Sequence, residues 1–154
     1  ELIYLKKIVG EIMKILIIMS ILISSAFATE VEVKMLNKGS DGEKMVFEPA
    51  LVKVNVGDTV KFIPTSKGHS VESLKKPESR PKEASKIKSK INKEFIYQVD
   101  KEGIHVFKCK PHYAMGMIGM IVAGKPVNLE TISKIKIKGK KSKERFAKML
   151  EGLK

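Results

Sequence analysis

An all-β sandwich or barrel carrying a helical C-terminal tail is the fold this sequence predicts. Short runs of alternating apolar and polar residues recur between residues 31 and 123, separated by clusters rich in Gly, Pro, Asn, Asp and Ser. Beyond residue 128 the apolar residues recur every three or four positions, the spacing of an amphipathic helix. At 154 residues the chain is long enough for one domain with a substantial core.

The N-terminal segment stands apart from that pattern. Met13 is the first methionine, and Lys14 and the apolar run Ile15 to Ile23 follow it. Ser24-Ser25-Ala26-Phe27-Ala28 then places small residues at a cleavage position. Residues 13–28 are therefore expected to be a signal peptide, and residues 1–12 an upstream extension foreign to the native protein. The apolar run is short for a membrane span. An uncleaved anchor over Ile8 to Phe27 would also have to carry Glu11 and Lys14 through the bilayer.

Residues 29–125 are expected to form the domain proper. Val31-Glu32-Val33-Lys34-Met35-Leu36 alternates as a half-buried strand, and Asn37 to Gly42 turns the chain. Met45-Val46-Phe47 and the run Leu51, Val52, Val54, Val56 are extended, and Thr59-Val60-Lys61-Phe62-Ile63 alternates again after Gly57-Asp58. Pro64 to Gly68 is a loop delivering His69, with extended structure resuming near Val71. Residues 74–93 are polar, lysine-rich and punctuated by Pro77 and Pro81; Ala84, Ile87 and Ile91 could share one face of a short helix. Phe95 to Val99, Ile104 to Cys109 and Ile118 to Ala123 are the remaining strands. Residues 126–154 are expected to be a tail packed on the domain. Asn128 would cap a helix containing Leu129, Ile132 and Ile135, and Ser142 a second helix whose Phe146, Met149, Leu150 and Leu153 form one apolar stripe.

Composition narrows the function classes. The formal charge is +13, and residues 1–28 contribute almost none of it, with three lysines against two glutamates. Such a charge suits an acidic partner, an anionic surface or nucleic acid. Export makes nucleic acid an unsuitable partner, and no nucleic-acid-reading motif accompanies the charge. The chain has a single cysteine, which cannot form an internal disulfide, and an unpaired thiol is a liability in an oxidising compartment. No catalytic triad, phosphate loop or paired acid–base arrangement is legible, so a non-enzyme is expected.

That cysteine lies in Cys109-Lys110-Pro111-His112-Tyr113-Ala114-Met115-Gly116-Met117. A thiolate, an imidazole and a thioether on one short loop are three of the four ligands of a blue copper site, which takes two His and one Cys near one plane with a weak axial Met. The fourth must be His69 or His105. His105 lies four residues before Cys109, about 13 Å away along an extended strand, too far to bind the same ion. His69 follows Gly68 at the end of a loop and is the better candidate. Met115 and Met120 are alternatives to Met117. Each residue alone has an ordinary explanation, as an inert core cysteine or a surface loop histidine; their combination is what is specific.

The chain resembles the pseudoazurins, blue copper proteins of the cupredoxin family. The resemblance is carried by Met35-Leu36-Asn37-Lys38-Gly39, Met45-Val46-Phe47-Glu48-Pro49, Gly57-Asp58-Thr59-Val60, Phe62-Ile63-Pro64-Thr65, Lys67-Gly68-His69, Lys88 to Asn92 and the loop from Lys108 to Met117. It covers residues 30 to 152. It implies a Greek-key sandwich and one mononuclear type 1 copper per chain, held by His69, Cys109 and His112 with Met117 axial. It implies a monomeric periplasmic electron carrier docking transiently on acidic redox proteins, with a reductase as acceptor and a cytochrome as donor, and with no membrane anchoring after cleavage. Ser70 departs from the Asn often found after the first histidine, and His105 stands where a Tyr is usual. The alternative function is a periplasmic copper chaperone or store, against which the single Cys and single axial Met argue.

Overall fold

The computed structural model describes residues 1–21 and 28–153. Eight strands are formed among them: β1 (Glu30–Lys38), β2 (Lys44–Glu48), β3 (Leu51–Val54), β4 (Thr59–Ile63), β5 (Glu72–Ser73), β6 (Phe95–Gln98), β7 (Gly103–Lys108) and β8 (Ile118–Ala123). They make two four-stranded sheets, ordered β2-β1-β4-β6 and β3-β8-β7-β5. β1 runs parallel to β4 and β3 parallel to β8, and the other pairs are antiparallel. The chain crosses between sheets after β2, β3, β4, β5 and β6, as a Greek-key sandwich requires.

Period-2 alternation decides what faces inward. Val33 and Met35 of β1, Val60 and Phe62 of β4, and Tyr97 of β6 meet Phe107 and Ile121 from the opposite sheet in one core. Phe47, Phe62 and Phe107 pack edge to face, with Phe107 4.9 Å from each of the other two ring centres. Gly119 pairs with Phe107 across β7 and β8, and an added Cβ there would lie 2.4 Å from the Phe107 ring. The absence of a side chain at 119 is what lets that ring lie against the strand.

β7 and β8 are buried on both faces, because the tail covers their outer side. Ile104, Val106, Ile118, Met120 and Val122 pack there against Ile132, Ile135, Ile137, Phe146 and Met149. Two helices supply part of that cover, α2 (Leu129–Ser133) and α3 (Lys140–Glu151). A further helix, α1 (Leu2–Ile21), carries exposed Leu2, Ile3, Tyr4 and Leu5. Among the described residues no helix is long and apolar enough to cross a membrane. The cleavage motif expected at residues 24–28 lies outside the described residues except for Ala28.

Three local expectations are corrected. Residues 82–91 do not form a helix. Ile87 and Ser89 instead run beside β5, where Ser73 N–H donates to Ile87 C=O and Ser89 N–H to Val71 C=O. This extended pairing satisfies the backbone and buries Ile87, while Ile91 is left exposed. Asn128 stands at the start of α2 but its amide does not cap it. It accepts from Ile104 N–H and donates to Ile104 C=O, tying the tail to β7, and Ile135 falls beyond the helix end. Ser142 lies inside α3, whose N-cap position is Gly139, and its hydroxyl donates to the Tyr113 carbonyl.

Candidate metal centre

The candidate residues gather at one end of the sandwich. Cys109 follows β7 directly, and its N–H donates to Met117 C=O as the chain re-enters β8. Between them a 3-10 turn at Tyr113–Met115 doubles the chain back and ends on Gly116, whose φ of 97° suits glycine. Met117 N–H donates to His112 C=O, so the backbone links Cys109, His112 and Met117 in one compact loop. His69 arrives from the loop between β4 and β5. Asn92 fixes that loop twice: its N–H donates to His69 C=O and its side-chain oxygen accepts from Gly68 N–H.

Three donor atoms converge. Cys109 Sγ lies 3.7 Å from His69 Nδ1 and 3.6 Å from His112 Nδ1, and the two nitrogens are 3.1 Å apart. A triangle with those sides has its centre about 2.0 Å from each corner, close to the roughly 2.0–2.3 Å at which imidazole nitrogen and thiolate sulfur bind a first-row metal such as zinc. The donor set therefore fits one ion with three near-planar ligands. One Cys and two His in that arrangement are the equatorial set of a blue copper centre.

Electrostatics and orientation agree with that fit. His69 is fully buried, and burial, together with the neighbouring His112, lowers its pKa, so its ring is neutral and its lone pair available. Its Nε2–H donates to Asn37 Oδ1 at 2.8 Å, which leaves Nδ1 as the unprotonated nitrogen turned toward the sulfur. Burial pushes the Cys109 thiol up, while N–H groups of Ser70 and His112 and the Ser70 hydroxyl favour the thiolate. A cation between the rings would complete that stabilisation.

The methionines separate by face. Met117 is buried in the inner core with Cys109, whereas Met120 lies in the tail-side cluster across the sheet and Met115 is about half exposed. His105 is excluded by its partners. Its Nε2–H donates to Lys101 C=O at 2.9 Å and its Nδ1 sits 3.1 Å from the Tyr97 hydroxyl, so it is a satisfied core residue. His112 is half-buried, with Pro111, Ala114 and Met115 exposed around it. Sequence reasoning missed Asn37 and Asn92 as positioning residues, since either reads as an ordinary turn former.

The comparisons with known proteins agree with this geometry. The profile of the family described as copper binding proteins, plastocyanin/azurin family, matches residues 33–124. A pseudoazurin from Methylorubrum extorquens is 48% identical over 71% of this chain and 73% of its own length. One from Paracoccus pantotrophus is 43% identical over 81% and 84%. The crystal structure of native pseudoazurin from Hyphomicrobium denitrificans superposes with a TM-score of 0.76 at 43% identity, covering 80% of this chain and 98% of that one. The chain belongs to the plastocyanin/azurin family of copper-binding proteins, on its pseudoazurin branch.

Proposed function

We propose that this pseudoazurin-branch cupredoxin is a periplasmic carrier of single electrons, holding one copper between His69, Cys109 and His112 with Met117 as the axial ligand. The convergence of one sulfur and two Nδ1 atoms on a common point is the observation that carries the reading. Bound copper supplies a reversible one-electron change; thiolate and thioether suit the reduced ion, and imidazole suits both states.

The chain's own part is to hold the donors still. Asn37 fixes the His69 tautomer, Asn92 fixes its loop, and the Cys109–Met117 backbone bond closes the ligand loop against two buried strands. Rigid donors reduce the rearrangement that accompanies each electron. Burial of Cys109, His69 and Met117 excludes water from the centre, while the half-buried His112 ring gives electrons a route to the surface.

The surface around His112 fits brief encounters. Pro111, Ala114 and Met115 give it exposed apolar surface, and the exposed Lys38, Lys67 and Lys110 are sequence neighbours of Asn37, Gly68 and Cys109, which suits steering toward acidic redox proteins such as a reductase acceptor or a cytochrome donor. The carrier reading is preferred to an enzyme because the chain has only three histidines, and His105 is committed to the core. Transfer rates to an acidic partner are expected to fall as ionic strength rises; rates insensitive to salt would reject steering. Copper loading tests the site itself: the oxidised protein should be intensely blue to green, and Cys109→Ser should remove the colour.

A further inference from the structure

We infer that the C-terminal helix α3 is a working part of the metal centre, with Arg145 the residue that positions the ligand loop. The inference rests on the copper reading above and extends it to a residue distant from the proposed ligands in sequence.

The Arg145 guanidinium is spread over two separate parts of the chain. One terminal nitrogen donates to Gly116 C=O at 2.7 Å and to Met45 C=O at 2.8 Å; the other donates to Lys44 C=O at 3.1 Å and to the Glu43 carboxylate at 2.8 Å. The peptide between Gly116 and Met117 is therefore held at both ends. Its carbonyl accepts from Arg145, and its N–H donates to His112 C=O at 3.2 Å. That peptide joins the half of the loop bearing His112 to the residue proposed as axial ligand.

The same helix grips the loop a second time, where the Ser142 hydroxyl donates to Tyr113 C=O, one residue after His112. α3 is in turn anchored by Phe146 and Met149 in the tail core. The loop is thus held between a hairpin strand and a packed helix. Charge-assisted bonds from a planar, five-donor group suit such a task, and a lysine could reproduce only part of it. Arg145 touches neither proposed metal nor substrate, so its role is positioning.

The test compares Arg145→Gln, Arg145→Lys and Glu43→Gln. In the copper-free full chain, hydrogen exchange at the amides of Cys109 and Met117 should quicken about tenfold in Arg145→Gln, while β1 amides keep their protection. Arg145→Lys should fall between Gln and wild type, and Glu43→Gln, at an exposed position, should shift the same amides to a smaller extent. In the copper-loaded protein, Arg145→Gln should alter the ratio of the thiolate-to-copper absorption bands, with Arg145→Lys partly restoring it. Wild-type exchange at Cys109 and Met117, or an unchanged spectrum, would overturn the inference. If Arg145→Gln does not fold, unchanged exchange in Glu43→Gln overturns it instead. Failure of the wild-type chain to bind copper would defeat the metal reading, and the copper-free exchange would still decide whether the clamp exists.

Discussion

Gly119→Ala probes how tightly the sandwich holds β7, the strand that leads into Cys109. A Cβ at 119 would stand 2.4 Å from two ring carbons of Phe107 and 2.9 Å from the Ala50 carbonyl oxygen. Ordinary van der Waals contact begins near 3.4 Å, so ring and strand would have to separate by about 1 Å in a close-packed interior. Phe107 has little room to yield, because Phe47 and Phe62 close on it edge to face at 4.9 Å. Overpacking of this kind costs about 1–3 kcal/mol. For a domain of this size that lowers the melting temperature by roughly 3–12 °C. The assay is thermal and denaturant unfolding of the copper-free protein, in wild-type and Phe107→Leu backgrounds. If the clash is the cause, most of the penalty should vanish beside the smaller side chain, giving a clear coupling energy in the double-mutant cycle. An alanine that leaves the melting temperature unchanged, or one whose cost is the same in both backgrounds, would refute the packing argument.

Two further perturbations test the surroundings of the site. Asn37→Ala removes the oxygen that orients His69 and is expected to weaken copper binding about 10- to 100-fold, measured by chelator competition; undiminished affinity would contradict the orienting role. Burial lowers the pKa of both His105 and His69. The unfolded chain therefore takes up protons that the folded one refuses, and copper-free stability should be constant above the ordinary histidine range. It should decline as pH drops below about 6.5, by at most about 1.4 kcal/mol per pH unit for each histidine. His105→Gln should flatten that decline, leaving the share of His69; an unaltered slope in urea unfolding at pH 7.5 and 5 would remove His105 from the account.

What the sequence made legible followed from local rules. Alternation located the strands around Val33 and Phe62, whose side chains lie in the inner core. The spacing of Cys109 and His112 and the rejection of His105 needed only strand geometry. The errors came where tertiary partners competed with local preference. Ile87 was drawn into extended pairing because β5 offered an unsatisfied edge, which no helical pattern at 82–91 could reveal. Ser142 and Asn128 have good capping side chains, but Tyr113 C=O and the Ile104 backbone claimed them. Arg145 was illegible for a related reason: its partners at Glu43 and Met45 lie about a hundred residues earlier in the chain. In a helix rich in lysine it looked like one more solvated charge.

The most direct test of the central claim is copper stoichiometry read together with the absorption spectrum of the oxidised protein. One copper per chain is expected, with intense thiolate-to-copper absorption in wild type and none in Cys109→Ser. A wild-type protein that stays colourless after cupric loading, or one whose colour survives loss of the sulfur, would contradict the assignment of His69, Cys109, His112 and Met117 as a blue copper centre.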